Sequence, residues 1–237
     1  MIVCMSTYNR AEVTRECLSQ LAKTKGLGVT IQVWDAGSDE YTPEDLISWG
    51  ADKAFRASGR VNDGQNRTAQ FVNFLNNETD ELLYCVDNDA FHDPNWVKRL
   101  YELYDTHACI INLFNSKDHD TCTRAPMYKI PYGRNNIATT KDVVFRYTCG
   151  GISFMISREL LRKRFTKETY PHGLSTSYDW IVPRWDRHVC TSRESYVAHM
   201  DTGGMHTHMH GKPAIDLGLN PTDWLKYCWL EGRGDEI

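Results

Sequence analysis

The sequence predicts an α/β fold in which helices flank a mainly parallel central sheet. Strand-like and helix-like patterns alternate through the first half of the chain, which is typical of a parallel sheet with helices on its faces. Polar clusters follow the strand-like runs, at Ser6–Arg10, Asp35–Asp39 and Asp87–Asp89. The 237 residues, of which 41% are hydrophobic and 24% are charged, can bury one ordinary core, so we expect a single domain over residues 1–237.

The elements of the first half follow from apolar spacing and from turn residues. Short apolar runs predict strands, and apolar residues three or four positions apart predict helices that bury one face. The predicted strands are Ile2–Met5, Val29–Trp34, Lys53–Ala57 and Glu81–Val86. The first predicted helix carries Val13, Cys17, Leu18 and Leu21 and ends at Gly26 and Gly28. The second begins at Asn62-Asp63-Gly64, and its inward-facing residues are Thr68, Phe71, Val72 and Leu75.

The second half of the sequence has a less regular pattern. Asp93 and Pro94 predict the N-cap and the first residue of a helix. The further predicted elements are strands over Ala108–Phe114 and Ile152–Ile156, a helix from Arg158, and a short helix after Asn220–Asp223. The long polar stretch Asn115–Asp142 predicts a functional loop, because loops of that length are uncommon inside compact domains unless they serve a function.

Composition and cysteine usage argue against several classes of protein. Lys and Arg number 27 against 31 Asp and Glu, and the net charge of −4 does not favour binding to nucleic acid or to an anionic membrane. The eight cysteines include no Cys-x-x-Cys pair, and several lie in apolar runs, which predicts buried reduced thiols. Since no leader pattern and no apolar run of membrane-spanning length is present, we expect a cytoplasmic protein without an integral membrane segment.

Asp87-Asn88-Asp89 is the most informative motif, because it places two carboxylates at the end of the apolar run Leu82–Val86. A strand that ends there projects both acids from the carboxyl edge of the sheet, where open α/β folds bind ligands. Carboxylate oxygens suit Mg²⁺ or Mn²⁺, which in turn hold diphosphates. The alternative is that these acids are solvated turn residues.

Four segments together resemble family 2 glycosyltransferases of the GT-A (nucleotide-diphospho-sugar transferase) fold. They are Ser6–Arg10 after the first strand, Asp35–Asp39 after the second, Asn62–Arg67 at the start of a helix, and Asp87–Asp89 after the following strand. The resemblance is strongest over the first half of the chain. It implies that residues 1–114 form a nucleotide-sugar-binding half and that residues 115–237 form an acceptor-binding half with a C-terminal helix.

The resemblance implies a set of residues around a nucleotide sugar and a divalent metal. The implied nucleotide-sugar contacts are Thr7, Tyr8, Asn9, Arg10, Asp35, Asn66, Asp87 and Asn88. The implied ligands of Mn²⁺ or Mg²⁺ are Asp87, Asp89, His199 and His206, since some enzymes of this fold use a late histidine as a further ligand. Asp35 is alternatively a turn former before Gly37, and Asn66 and Arg67 are alternatively exposed helix residues.

Asp179 is the candidate catalytic base, because Tyr178-Asp179-Trp180 lies about where the family carries an acidic residue at a helix start. The family commonly has a Glu-Asp pair there, and Tyr178 replaces the first acid. A base acting on the acceptor hydroxyl would make the transfer inverting. The alternative is that Asp179 caps a helix after Ser175-Thr176-Ser177.

The implied function is a metal-dependent, inverting transfer of a sugar from a nucleotide sugar, expected to be a UDP-sugar, to a hydroxyl acceptor. A saccharide is the default acceptor of the family, and a hydroxymethylated base in viral DNA is an alternative. The basic residues that would then contact DNA phosphates are Arg158, Arg162, Lys163, Arg164 and Lys167. Two further alternatives are a non-catalytic sugar-nucleotide binding module and a nucleotidyltransferase, although no glycine-rich basic phosphate loop is visible near the start of the sequence.

Overall fold

A computed structural model of the chain describes residues 1–115, 136–146, 153–165 and 189–200. These residues form an α/β fold with a mixed, mostly parallel central sheet flanked by helices, which confirms the predicted fold class. The strands are β1 (Ile2–Thr7), β2 (Thr30–Asp35), β3 (Lys53–Arg56), β4 (Leu82–Asp87), β5 (Ala90–His92), β6 (Ile110–Asn112), β7 (Asn136–Thr139), β8 (Val143–Arg146), β9 (Ser153–Ser157), β10 (Val189–Ser192) and β11 (Val197–His199). The helices are α1 (Ala11–Thr24), α2 (Pro43–Ser48), α3 (Asp63–Asn77), α4 (Trp96–His107) and α5 (Arg158–Arg164). The helix predicted after Asn220–Asp223 lies outside the described residues.

The first half of the chain supplies the parallel part of the sheet, in the order β3, β2, β1 and β4. All six residues of β1 are buried, as expected for a central strand that is covered on both faces. The register pairs Thr7 with Asp35 and Ser6 with Asp87. Strands β1, β2 and β4 therefore end at the same edge of the sheet, and the loops after them are neighbours.

Two apolar clusters cover the two faces of this sheet. One contains Val3 and Met5 of β1 with Leu18 and Leu21 of α1, and the other contains Ile2 and Cys4 with Phe71 and Phe74 of α3. Val72, which is predicted to face inward, is 41% exposed, because Phe71 and Phe74 form the buried face of α3 instead. The prediction of buried reduced thiols is confirmed for Cys4, Cys17, Cys85, Cys109 and Cys190, and the remaining three cysteines lie outside the described residues.

The second half of the chain adds strands of mixed direction. β9 lies antiparallel between β4 and β6, β10 is parallel to β6, and β8 and β7 continue the sheet as antiparallel strands. The stretch Asn115–Asp142, predicted as a loop, contains β7 at residues 136–139, and residues 116–135 lie outside the described residues. The apolar run that starts at Val143 forms β8 against β10, and β8 supplies the edge on which β7 pairs.

A small second sheet joins β5 to β11 next to the end of β4. The two strands are antiparallel and pair Val197 with His92 and His199 with Ala90. The backbone N–H of Met200 donates to the carbonyl of Asp89 at 2.8 Å. This sheet brings a late segment of the chain to the residue that ends the acidic motif.

His92 is buried in β5 as a neutral side chain. Its Nδ1 lies 3.1 Å from the carbonyl of Ala90, and its Nε2 lies 3.0 Å from the hydroxyl of Tyr84. Because a carbonyl only accepts, Nδ1 carries the proton and the Tyr84 hydroxyl donates to Nε2. Burial lowers the pKa of His92 to about 3, so the imidazole stays uncharged in the folded protein.

Capping sets where the helices begin. α2, which is absent from the predicted elements, follows a capping box in which Thr42 and Asp45 bond to each other's backbone N–H groups. The predicted start of α4 at Asp93 and Pro94 is wrong, because the Asp93 carboxylate accepts from the Asn95 N–H at 2.7 Å and holds a turn there.

None of the helices in the described ranges combines the length and the hydrophobicity that a membrane-spanning segment needs.

Arg158 at the start of α5 is part of the fold rather than of the surface. Its guanidinium donates to the carbonyls of Phe74, Leu75, Glu78 and Asp80 around the C-terminal end of α3, at 2.8–3.3 Å. The residue is 8% exposed, and its guanidinium lies 4.3 Å from the centroid of the Phe74 ring. The expectation that Arg158 would contact DNA phosphates is therefore wrong, because carbonyls in the last turn of α3 and just after it already occupy its donors.

Candidate active site

A cavity of about 760 Å³ opens at the edge where β1 and β4 end. Its size is in the range of small-molecule sites, and it lies where open α/β folds bind ligands. The residues that line it are Ser6, Thr7, Tyr8, Arg10, Ala36, Arg60, Val61, Asn62, Asp63, Gln65, Asn66, Asp87, Asn88 and Asp89. They come from the ends of β1 and β4 and the loops after them, from the loop after β2, from the loop between β3 and α3, and from the N-terminal turn of α3.

Asp87, the first acid of the motif, is paired with a buried arginine of α3. Nη2 of Arg67 lies 2.9 Å from Oδ1 of Asp87, and Nη1 donates to Oε1 of Gln70 at 2.8 Å. The Arg67 side chain is 2% exposed and the Asp87 side chain 36% exposed. Burial alone would lower the pKa of Arg67, but the acidic groups beside it, Cys85 and Asp87, raise that pKa above its ordinary value. Arg67 is thus a fixed internal cation, not an exposed helix residue.

Asp89, the second acid, is paired with an arginine from the loop after β1. Nη1 of Arg10 lies 2.8 Å from Oδ2 of Asp89. The Arg10 side chain is 34% exposed, whereas the Asp89 side chain is only 8% exposed. The two acids of the motif are therefore held by two arginines that differ greatly in their access to solvent.

Asn88, between the two acids, ties the end of β4 to the start of α1. Its Nδ2 donates to Oγ1 of Thr14 at 2.8 Å and to the carbonyl of Asn9 at 3.3 Å. The residue is 8% exposed and also lines the cavity. These bonds fix the spacing between the loop after β1 and the acidic motif.

The loop after β1 adopts an unusual backbone conformation that directs Arg10 to the cavity. Asn9 and Arg10 have φ angles of 50° and 62°, in the left-handed region that side chains other than glycine seldom adopt. The Asn9 N–H donates to Oγ of Ser38 at 2.8 Å, and its side-chain oxygen accepts from the Asp39 N–H at 2.9 Å. The hydroxyl of Tyr41 donates to the Asn9 carbonyl at 3.1 Å. Contacts with the loop after β2 thus offset the cost of the conformation.

Asp35, predicted to contact a base or ribose, has its side chain buried in the loop that follows β2. Oδ1 accepts from the backbone N–H and the hydroxyl of Ser38 at 2.9 and 2.5 Å. Oδ2 lies 3.5 Å from Nε of Arg56 and makes no hydrogen bond within the described residues. These contacts are those of a turn former, which is the alternative given for Asp35 in the sequence. Contact of Asp35 with a nucleotide stays a prediction.

Tyr8 and Arg60 form one wall of the cavity. The guanidinium carbon of Arg60 lies 4.7 Å from the centroid of the Tyr8 ring, a cation–π contact. Arg60 is absent from the predicted site, and no pattern in the sequence singles it out, because it reaches the cavity only through the fold of the loop before α3. Nearby, Asn66 is 6% exposed and donates from Nδ2 to the carbonyl of Trp34 at 2.8 Å, so it is not an exposed helix residue.

The remaining predicted site residues are placed unevenly. Thr7 lines the cavity, and its hydroxyl hydrogen bonds with that of Tyr41. His199 lies in β11, where its backbone pairs with that of Ala90, the residue after Asp89. Asp179 and His206 lie outside the described residues.

The donor set at the cavity fits a divalent cation of the Mg²⁺ or Mn²⁺ type. Asp87 and Asp89 both line the cavity and supply hard carboxylate oxygens. Within the described part of the chain, no group of three or more His, Cys, Asp or Glu side chains lies together as a complete metal cluster. A cation bound here would therefore need further ligands, from water, from a bound diphosphate or from the rest of the chain.

The cavity at the carboxyl ends of parallel strands, with an acidic pair in its wall, places the chain among the α/β proteins that bind ligands at such an edge. Residues 2–165 match the family model for glycosyl transferase family 2. Since this match covers well over half of the sequence, the chain belongs to glycosyl transferase family 2. No curated protein matches the sequence.

Solved structures of GT-A glycosyltransferases have a similar fold at low sequence identity. S. aureus TarS 1-349 in complex with UDP-GlcNAc is 16% identical with a TM-score of 0.62, over 87% of this chain and 60% of that one. The mannosyltransferase PcManGT from Pyrobaculum calidifontis, in complex with GDP-Man and Mn²⁺, is 16% identical with a TM-score of 0.59, over 87% of this chain and 59% of that one. The chain thus spans about three fifths of the length of these structures, and the similarity shows that it has the GT-A fold.

Proposed function

We propose that the chain transfers a sugar from a nucleotide sugar to a hydroxyl acceptor, with Mn²⁺ or Mg²⁺ as cofactor. The observation that carries this proposal is that Asp87 and Asp89 line one ligand-sized cavity at the carboxyl edge of the sheet. Membership of glycosyl transferase family 2 supports transfer as the reaction. A UDP-sugar is the expected donor, and the neighbour TarS, solved with UDP-GlcNAc, supports that choice.

Asp87 and Asp89, the acidic pair, are proposed as the cation site. When bound, a divalent cation would neutralise the negative charge that develops on the departing nucleoside diphosphate. His199 and His206 are proposed as additional ligands. The pairing of the His199 backbone with Ala90, next to Asp89, supports the first of these, whereas His206 lies outside the described residues and rests on the family resemblance.

The other cavity residues are proposed to hold the nucleotide. Tyr8 presents an aromatic ring beside the Arg60 guanidinium, and an aromatic face of this kind suits a nucleobase, because every base has a π-face that can stack. Asn66 and Asn88 line the same cavity, and their bonds to Trp34 and Thr14 keep them in place. Asp35 would act by fixing the loop after β2.

The acceptor half of the reaction rests on the family resemblance. Asp179 is proposed as the base that removes the proton of the acceptor hydroxyl, which would make the transfer inverting. Residues 115–237 are proposed to bind the acceptor, by default a saccharide. A DNA acceptor is less favoured by the contacts of Arg158, which serve α3.

A turnover assay tests the proposal. UDP release from a panel of UDP-sugars should be measured with Mn²⁺, with a chelator, and with a saccharide acceptor present or absent. We expect turnover in wild type with Mn²⁺, and its loss with the chelator and in Asp89→Asn. Asp105→Asn is the matched control, because it removes one exposed carboxylate from α4, away from the cavity.

The same assay separates the alternatives. Metal-dependent binding of a nucleotide sugar without turnover in any acceptor mixture would indicate a non-catalytic binding module. Release of a sugar 1-phosphate instead of a nucleoside diphosphate would indicate a nucleotidyltransferase, because transfer of the nucleotidyl group leaves the β-phosphate on the sugar. Turnover that persists in Asp89→Asn and in the chelator would contradict the cation role of the acidic pair.

A further inference from the structure

The two arginines that hold the acidic motif are not equivalent. Arg67 lies in α3, is 2% exposed, and also donates to Gln70 and to the carbonyl of Cys4. Arg10 lies in a surface loop, has a side chain that is 34% exposed, and lines the cavity. Moving Arg67 would expose or orphan buried polar groups, whereas Arg10 is partly exposed and lies in the cavity wall.

The charges of the site balance through these two pairs. Asp87 and Asp89 carry two negative charges, and Arg67 and Arg10 supply two positive ones at 2.9 and 2.8 Å. Asp63 and Arg60 add one charge of each sign to the cavity lining. A divalent cation adds two positive charges, and the diphosphate of a nucleotide sugar brings about two negative ones. Either ligand alone leaves an uncompensated charge in a partly buried site, whereas both together restore the balance.

We propose that Arg10 is an exchangeable counter-ion. It neutralises Asp89 in the metal-free protein, and it moves to the diphosphate of the donor when a divalent cation takes its place on the acidic pair. This inference rests on the proposed function and adds a mechanism by which cation and donor bind cooperatively. Arg10 suits the role because its guanidinium can pair with either a carboxylate or a phosphate in a bidentate manner.

The left-handed backbone at Asn9 and Arg10 supports the exchange. The loop is held by hydrogen bonds of Asn9 to Ser38, Asp39 and Tyr41, none of which involves the Arg10 side chain. The guanidinium can therefore change partner without loss of these loop contacts. The backbone of Arg10 stays in place while its guanidinium moves.

The test measures binding, so that it does not depend on turnover. Mn²⁺ binding is followed by the electron paramagnetic resonance signal of free Mn²⁺, and UDP binding by calorimetry at zero and at saturating Mn²⁺. The variant is Arg10→Met, and Arg15→Met is the matched control, because Arg15 is an exposed arginine of the same helix region outside the cavity lining. Arg10→Lys is the second variant, and it keeps the test valid if Arg10→Met does not fold.

We expect Arg10→Met to bind Mn²⁺ alone about three- to tenfold more tightly than wild type, since the Arg10 guanidinium no longer competes for Asp89. At saturating Mn²⁺ we expect UDP to bind about tenfold more weakly, because one charged contact to the diphosphate is lost. Arg10→Lys should have Mn²⁺ and UDP affinities between those of wild type and Arg10→Met, since lysine keeps the charge without the bidentate geometry. Arg15→Met should match wild type in both measurements.

The contrary outcomes are distinct. If wild type binds UDP with Mn²⁺ but Arg10→Met and Arg10→Lys behave as Arg15→Met does, the exchange is wrong and the proposed function stands. If UDP binds equally well with and without Mn²⁺ in wild type, the cooperative binding is absent and the exchange is also wrong. If wild type binds neither Mn²⁺ nor UDP, the proposed function and the exchange fail together.

Discussion

Replacement of Arg158 by methionine tests how the two halves of the chain are joined. The guanidinium makes four hydrogen bonds to carbonyls of Phe74, Leu75, Glu78 and Asp80, and a positive charge at this place is favourable for the C-terminal end of α3. With a net value of about 0.5–1.5 kcal/mol for each bond, and a further penalty for carbonyls left buried without a donor, we expect a loss of about 3–5 kcal/mol.

Equilibrium unfolding in urea measures this loss as a lower midpoint with an unchanged slope. Arg162→Met is the matched control, because Arg162 is exposed on the same helix and should change stability by no more than about 0.5 kcal/mol. Arg158→Lys should recover only part of the loss, since one ammonium group cannot span the four carbonyls. A loss below about 1 kcal/mol in Arg158→Met would refute the reasoning, because the four bonds would then have no net effect on stability.

Three further predictions concern single residues. His92→Gln should reduce the acid sensitivity of folding: the pKa of His92 is lowered from 6.5 to about 3, so below pH 6.5 the unfolded chain takes up a proton that the folded chain does not. Relative to the variant, the free energy of unfolding of wild type should fall by about 1.4 kcal/mol per pH unit between about pH 6 and pH 4, as measured by urea titrations. The same pH dependence in both proteins would contradict this. Gly37→Ala should lower the melting temperature and weaken UDP binding, because Gly37 has φ of 92° and an added Cβ would lie 2.8 Å from the backbone of Gly59. We expect Gly37→Ala to lower the free energy of unfolding by about 2 kcal/mol. An unchanged melting temperature would show that the loops containing Gly37 and Gly59 can move apart. Ala108→Gly should stabilise the fold by about 0.5–1 kcal/mol, since Ala108 ends α4 with φ of 49°; a lower stability in urea unfolding would contradict it.

The parallel part of the fold could be predicted because its signals are local. The run before Asp87 is buried on both faces, so it reads as continuous apolar sequence, and the polar residues that follow it mark the strand end. The same reasoning placed Asp87 and Asp89 at the sheet edge, and both line the cavity. Local capping chemistry also predicted the start of α3 at Asn62, whose side chain accepts from the Gln65 N–H.

The rest of the site depends on contacts between distant segments. Nothing in the sequence around Arg10 shows that it pairs with Asp89, and nothing around Arg67 shows that it is buried against Asp87. β7 lies in a polar stretch and forms only because β8 offers it an edge. Asp35 shows the opposite problem, since the same Asp-x-Gly-Ser pattern suits a ligand contact and a turn. The bonds of Asp35 to Ser38 show the turn and do not test the ligand contact.

The pairing of β5 with β11 has a consequence for the order in which the protein is assembled. It joins segments with a large sequence separation, and such non-local contacts carry a large loop-closure entropy and form late in folding. The family match ends at Phe165, before β10 and β11 begin. A nascent chain of that length would already contain both acids but would lack the strand that pairs beside Asp89, so the site reaches its final form only after Met200 has been synthesised.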